Sequence, residues 1–436
     1  MMRTNRQSGP LSALGVVALL GVLGCGNVLE VELPGRVTGE ALDNAQNAGV
    51  LTNGVVLSFE CAWTNYVTAT NALSDQLINA SNQGVSSAWY TRNIINNDPA
   101  LLNNCDPAIG LFPYATLQIA RTGADRAYGL IDAFNDALVP NKGVLKATVK
   151  AYGAYATLAL GEGFCSAVLT PGTVQPPSAA LAKAEATFTE AMALATAVNN
   201  TDLLNMARVG RARARLDQGN FAGARADAEL VPATYVRNAT RGAADKHRWN
   251  LVFEFQNNLS VSAARHGSVA PNFRGLTFGG VADNRTGVSA TQSGAGNDGV
   301  TPFFAHNRAL ARDAALPIAS GKEAQLIVAE AAARSGDLAT ARTIINARHT
   351  AAGLPAFDAA GRATQNDVIA QILQERSREL FLEVGARYND MLRFRNTDFK
   401  IPFRGEPGSI HPDGKDHRGL LYGPTTCIPL PLAEQP

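Results

Sequence analysis

Apolar side chains recur every three or four positions along most of the chain, the spacing that gathers them on one face of an α-helix. The first stripe covers residues 40–82 and includes Leu42, Val50, Leu51, Val55, Val56, Phe59, Trp63 and Tyr66, which makes Trp63 a core residue. Stripes resume over residues 115–138, with Ile119, Ala127, Leu130, Ile131 and Phe134 on one face, and over 144–160. Pro171, Gly172, Pro176 and Pro177 then interrupt, and Ser178 is placed to cap a helix carrying Leu181, Phe188, Met192 and Leu194. A final stripe through Ile369, Ile372, Leu373, Leu380, Phe381 and Val384 predicts one long helix over residues 367–395. Two stretches lose the pattern. Residues 81–106 collect Asn, Ser, Gly and Asp around Trp89 and Tyr90 and predict a polar loop. Residues 232–317 are dense in Gly, Asn, Thr and Ser, with Trp249, Phe253, Phe255, Phe273 and Phe278 scattered among them. They predict a mostly irregular excursion with a few short strands, long enough to be functional. The prolines of residues 401–436 forbid a helix and predict an extended tail.

Two segments read as helix pairs. In residues 205–231 a turn at Gln218, Gly219, Asn220 and Phe221 separates Ala212 from Ala224 and Ala228, small residues where antiparallel helices approach closely. In residues 320–353 Ser320 and Glu323 form a capping box, Leu326, Ile327, Ala329 and Glu330 lead to the turn Ser335-Gly336-Asp337, and Asp337 caps a helix bearing Leu338, Ala341, Ile344 and Ile345. Gly353 and Pro355 end that unit. Both resemble tetratricopeptide units, helix pairs of ~34 residues that stack on their neighbours. The predicted fold is mainly all-α, a tetratricopeptide-like helix-pair solenoid with a large, loop-rich, irregular insert that binds ligand.

Charge and cysteines add the address. Lys and Arg total 38 against 37 for Asp and Glu, and this balance excludes nucleic acid as a partner. Arg3 and Arg6 precede an apolar run over residues 11–24 that is too short for the ~20 residues of a bilayer-crossing helix and reads as a signal peptide, residues 1–24. Val22-Leu23-Gly24-Cys25 resembles a bacterial lipobox, whose cysteine receives diacylglycerol and further acyl chains such as palmitate. Each buried acyl CH₂ contributes ~0.8 kcal/mol, so a multiply acylated Cys25 anchors the chain to a membrane. Gly26 and Asn27 follow without an Asp, which favours the outer membrane. Cys61, Cys105, Cys165 and Cys427 allow two disulfides in three connectivities, with Cys61 to Cys105 preferred. No cysteine and histidine spacing suits zinc, so neither a metal nor a cofactor is expected.

Several motifs invite chemistry. Glu375, Glu379 and Glu383 recur on one helical face and could mimic a glycosidase pair. Salt bridges with Arg376, Arg378 and Arg387 explain them better. The GxGxxG of residues 294–299 lacks a preceding strand and meets Pro302 where a helix should start, so it reads as a flexible loop rather than a dinucleotide site. His411 and His417 flank a Pro- and Gly-containing turn better read as solvated than as metal-binding. A flat ring covers the apolar face of a sugar while amides and guanidinium groups bond its hydroxyls. The candidate ligand-binding residues are therefore Trp89, Tyr90, Asn82 and Arg92, beside Gln83, Asn93 and Asn96, with Trp249 near Arg248, Asn250 and Asn257 as second choice. No catalytic residue is assigned.

The lipobox, Leu29-Glu30-Val31-Glu32-Leu33-Pro34, Leu73-Ser74-Asp75, Ala329-Glu330-Ala331 and Asn346-Ala347-Arg348 occur in an order that resembles the SusD/RagB-like outer-membrane lipoproteins. The strongest likeness is Glu375-Arg376-Ser377-Arg378-Glu379-Leu380 running on to Glu383, Gly385, Arg387, Asp390 and Arg393, followed by Ile428-Pro429-Leu430-Pro431 and Glu434 near the end. Val384 interrupts the usual Glu-Gly-Arg, Phe394 replaces a frequent tryptophan, and Gln435-Pro436 replaces Asn-Pro. The resemblance implies one domain over residues 25–436, of helix pairs supporting an irregular region that binds a glycan or similar oligomeric nutrient. It further implies a non-enzymatic lipoprotein at the cell surface that passes its ligand to a TonB-dependent, SusC-like transporter. The competing expectations are a tetratricopeptide-type scaffolding lipoprotein in envelope assembly and, behind it, a glycoside hydrolase.

Overall fold

A computed structural model of the chain describes residues 43–94, 105, 110–260 and 264–435. The first stripe becomes helix α1, Ala48–Leu73, whose residues from Ala62 onward are all buried, as they are only in a helix surrounded by protein. Its buried threonines and asparagines survive burial because each is bonded. The Thr68 and Thr70 hydroxyls donate one turn back, to the Thr64 and Tyr66 carbonyls at 2.7 and 2.8 Å. The Thr64 hydroxyl accepts the Leu251 N–H at 2.9 Å, and the Asn71 amide donates to the Leu382 carbonyl at 3.2 Å. Trp63 is core as expected, stacked between Phe59 and Tyr66 with its indole N–H on the Pro317 carbonyl at 2.8 Å. Polar atoms of the central helix thus hold segments that are remote in sequence.

After β1, Leu77–Asn79, the residues expected as a polar loop around Trp89 and Tyr90 instead begin with a short helix, α2, Gly84–Tyr90. Helices α3 (Pro113–Ala133) and α4 (Lys142–Gly163) follow. After a hairpin of β2 (Ala167–Thr170) and β3 (Thr173–Gln175) come α5 (Pro177–Ala197), α6 (Thr201–Asp217) and α7 (Phe221–Ala228). From α3 to α7 each helix packs on the next, and α3 and α4 also lie against α1. Small residues set the spacing: a Cβ added at Gly153 would lie 2.7 Å from the Ala124 Cβ, and one at Gly210 would lie 2.2 Å from the Phe188 ring. Ser178 caps nothing, because α5 starts at Pro177, whose fixed φ suits a first turn, and Pro176 is the extended residue before it.

The excursion is mostly irregular, as expected, but anchored at both ends. Strand β4, Val236–Ala239, is antiparallel to β8, Leu316–Ser320, and closes its base. Between them lie α8 (Leu251–Gln256) and β5 (Gly267–Val269), which pairs with β1, then the small hairpin β6 (Thr277–Phe278) and β7 (Val281–Ala282). The GxGxxG stretch is a held turn rather than a flexible loop. Asp298 receives the Val300 and Thr301 N–H groups and donates its own to the Ala80 carbonyl, and a Cβ at Gly296 would lie 2.6 Å from that of Ala80.

The second helix pair is α9 (Gly321–Arg334) and α10 (Leu338–Ala351), with α11 (Gln365–Glu379) packed on both. Ala329, Ala332, Ala333 and Ala341 let Ile345, Val368, Ile369 and Ile372 close a small apolar core there. The Ser320 hydroxyl accepts the Glu323 N–H, but the Glu323 carboxylate faces Arg213 at 3.2 Å, so the expected reciprocal capping box is half formed. The predicted single helix over 367–395 is broken. Leu382, Val384 and Gly385 adopt φ of 56°, 50° and 70°, and α12 restarts at Ala386–Arg393. Left-handed backbone at two non-glycine residues costs on the order of 1–2 kcal/mol each. It is offset by buried donors, Asn71 on the Leu382 carbonyl and Arg213 on that of Val384. The fold-back also lets Arg376 of α11 meet Asp390 of α12 at 2.8 Å and turns Arg387 onto Asp75.

Disulfides join Cys61 to Cys105 and Cys165 to Cys427, with Cα separations of 5.8 and 5.0 Å. Beyond α12 the described residues of the tail form no helix longer than one 3-10 turn, Leu432–Glu434. Residues 44–436 form one compact unit. Among the described residues no helix is long and apolar enough to cross a membrane.

Candidate ligand-binding site

A cavity of about 350 Å³ opens between α2, the chain entering α3, and the C-terminal tail. Val85, Ala88 and Trp89 of α2 form one wall, Phe112 and Tyr114 a second, and Ile428 and Pro429 a third. Each wall has its own support. The Asn65 side chain of α1 accepts the Phe112 N–H at 3.1 Å and donates to the Cys61 carbonyl at 3.2 Å, which fixes the entry to α3. The Tyr114 hydroxyl receives Gln118 Nε2 at 2.9 Å and the Val168 N–H at 3.2 Å. The tail is bonded to the end of α4 in both directions, Ile428 N–H to the Gly163 carbonyl and Cys165 N–H to the Ile428 carbonyl, each at 2.9 Å. The adjoining Cys165–Cys427 bridge makes that attachment covalent. Tyr388 adds a hydroxyl bond to the Thr426 carbonyl at 2.7 Å.

Among the described residues the lining holds no Asp, Glu, Lys, Arg or His. The one ionisable group among these described residues, the Tyr114 phenol, is pushed upward by burial and stays neutral. Aromatic and proline faces with the Asn93 amide at the rim can cover the C–H face of an uncharged ring while leaving its polar edge to solvent.

The residues proposed from sequence are only partly brought together. Trp89 lines the cavity. Tyr90 points into the core, where its hydroxyl accepts Gln256 Nε2 at 3.3 Å and its ring packs on Gly267. Arg92 is buried, its guanidinium over Phe403 and 4.0 Å from Glu406. Asn82 is exposed and donates its backbone N–H to Asn297 at 3.0 Å. Trp249 lies outside the cavity lining, its indole N–H on the Ala243 carbonyl at 2.8 Å and the Arg312 guanidinium 3.6 Å over its ring. Asn96 and Cys25 lie outside the described residues. The sequence reading missed Phe112, Tyr114, Ile428 and Pro429, since each follows from contacts between distant segments.

The glutamate ladder is structural, with other partners than expected. Glu375 bonds Arg285, Gln371 and His349, Glu379 lies 3.3 Å from Arg285, and Glu383 meets Arg308 and Lys322 at 3.2 and 2.7 Å. Arg376, Arg378 and Arg387 pair instead with Asp390, Asp283 and Asp75. The helix ends before Glu383, and residues one or two apart on a helix do not face each other. His411 and His417 stack at 6.0 Å, bond Tyr422 and Thr301, and are both held below the ordinary imidazole range by burial. Among the described residues no cluster of His, Cys, Asp or Glu could hold a metal.

Residues 323–411, from α9 into the tail, match the model of the SusD family. The fold matches a SusD superfamily protein from Parabacteroides distasonis with a TM-score of 0.64 at 12% identity, over 92% of this chain and 97% of that one. It matches a SusD-like carbohydrate binding protein from Bacteroides vulgatus with a TM-score of 0.57 at 15% identity, over 81% and 84%. Surface glycan-binding protein A from Bacteroides uniformis matches with a TM-score of 0.61 at 11% identity, over 88% and 97%. No curated protein matches this sequence.

Proposed function

Taking as premise a SusD-like fold that carries a SusD-family segment at residues 323–411, we propose that the protein is a non-enzymatic, cell-surface binding lipoprotein. It captures a glycan or similar oligomeric nutrient for a TonB-dependent, SusC-like transporter. Acylation at Cys25 tethers one domain, residues 25–436, to the outer membrane. The observation that carries this reading is the uncharged cavity framed by Trp89, Phe112 and Tyr114, with its third wall fixed by the tail. Rings of that kind supply area and orientation without charge, which suits a ligand that must be released again.

The test is a glycan array followed by calorimetry on the chain lacking residues 1–25, with Val85→Arg as the blocking variant. Val85 lines the cavity yet is half exposed, so an arginine there fills the space without disturbing the core. Binding of at least one oligosaccharide, lost in Val85→Arg, is expected. No binding anywhere, or binding indifferent to that change, refutes the site. Sugar release from the same panel would revive the hydrolase.

A further inference from the structure

A second cavity, of about 450 Å³, lies over the outward face of α1. Helices α1 and α3 supply one side, and Arg241, Asp245, His247 and Arg248 the other. Behind them Glu60 is 2% exposed. Its carboxylate is already engaged by neutral donors, the Thr240 N–H at 2.6 Å and the Thr240 hydroxyl at 2.9 Å. Arg248 reaches it at 3.4 Å and Arg241 only at 3.6 Å. The Arg241 side chain is 1% exposed. Its Nε donates to the Thr240 carbonyl at 2.6 Å, but its Nη1 has no acceptor, and neither has Nε of Arg248, among the described residues. Burial lowers the Arg241 guanidinium to about 10, as befits a cation short of counter-charge. The acid that lines the cavity among the described residues, Asp245, is committed to the backbone N–H and ring of His247 at 3.0 and 2.9 Å. Two guanidinium groups therefore share one buried carboxylate and keep donors to spare. The guanidinium fork matches the oxygens of a carboxylate or a sulfate.

We infer that this cavity is a second binding site, which takes an oxyanion, carboxylate or sulfate ester, with Arg241 and Arg248 as donors. Tyr114 lines the first cavity and Thr116 the second, within one turn of α3. Residues two apart on a helix do not share a face, so the two cavities open on different sides of α3 and are separate sites. The choice of a glycan as carrier rests on the function proposed above; the arginine pair calls for an oxyanion whatever carries it.

The test uses the chain lacking residues 1–25 and calorimetry with four probes: a glucuronate-bearing oligosaccharide, a sulfated one, their uncharged parent, and inorganic sulfate. A charged oligosaccharide is expected to bind about tenfold more tightly than the parent, and Arg248→Gln to bring that ratio close to one. Arg248 is partly exposed, so this variant folds even if Arg241→Gln does not. Arg248→Lys should restore part of the preference. Equal affinity for charged and uncharged forms, or a ratio that survives Arg248→Gln, overturns the site and leaves the glycan reading standing. Sulfate binding lost in Arg248→Gln, with no oligosaccharide bound, keeps the site and overturns the glycan carrier. No probe bound at all overturns both. The two charged arms separate carboxylate from sulfate.

Discussion

His349 and Glu375 are joined inside the protein at 2.9 Å, from Nε2 to Oε1, while the other ring nitrogen of His349 lies 2.7 Å from the Pro355 carbonyl. Both neighbours are acceptors, so the ring carries both protons and is an imidazolium. Burial opposes the charge, but the bonds to Glu375 and Pro355 prevail and hold His349 above its ordinary 6.5. Burial likewise opposes the Glu375 carboxylate, and His349 with Arg285 prevails to hold it below 4.5. The histidine contribution is complete below 6.5 and is lost as pH rises through the higher folded value. The glutamate contribution is present above 4.5 and is lost as pH falls through the lower one. The pair therefore stabilises most between about 4.5 and 6.5. Urea midpoints from pH 4 to 9 should show the wild type losing its advantage over His349→Asn on the alkaline side. A constant difference across that range would contradict the assignment.

Gly123 and Gly210 should answer oppositely to alanine. Both are helical, and alanine gains ~1 kcal/mol of intrinsic helix preference over glycine. Nothing lies within 4 Å of the Cβ position at Gly123, so Gly123→Ala should raise the melting temperature. At Gly210 the new Cβ meets the Phe188 ring, and overpacking of about 1–3 kcal/mol outweighs the gain. Calorimetric scans of the two variants decide it, and a stabilised Gly210→Ala would mean that α5 and α6 pack less closely than described.

The helix pairs were legible because small and branched apolar residues at helical spacing leave little choice of face. The turns at Gly219 and Gly336, both with positive φ, announced themselves through glycine. The break after Glu379 was hidden, since Leu382 and Val384 take left-handed backbone that apolar residues avoid, and only donors from α1 and α6 make it tolerable. Trp89 could be singled out from its polar neighbours. Its partners Phe112, Tyr114 and Ile428 could not, because a cavity wall is a long-range fact. Tyr90 and Arg92 share the local composition of Trp89 but face inward.

Removing the Cys165–Cys427 bridge should cost about 2–5 kcal/mol, since it closes a separation of 262 residues. Cys165 is exposed and open to reductant. Cys165→Ser with Cys427→Ser should lower the denaturation midpoint and speed proteolysis of the tail. An unchanged cleavage pattern would show that the backbone bonds at Ile428 suffice alone.

Asn65→Ala should leave the Phe112 N–H unpaired and cost about 1–3 kcal/mol. Because Phe112 is a cavity wall, the same variant should weaken binding of whichever oligosaccharide the array identifies. Lost stability with undiminished affinity would detach Phe112 from the site.

The third wall of the aromatic cavity belongs to residues 428–431, joined to an element that ends at Gly163. Chain order therefore dictates timing: the helix pairs can assemble as they emerge, whereas the third wall, residues 428–431, can join only after all of them have been made. A chain interrupted before Ile428 would own its helical frame and lack one side of the cavity, so a closed cavity certifies that synthesis has passed Pro431.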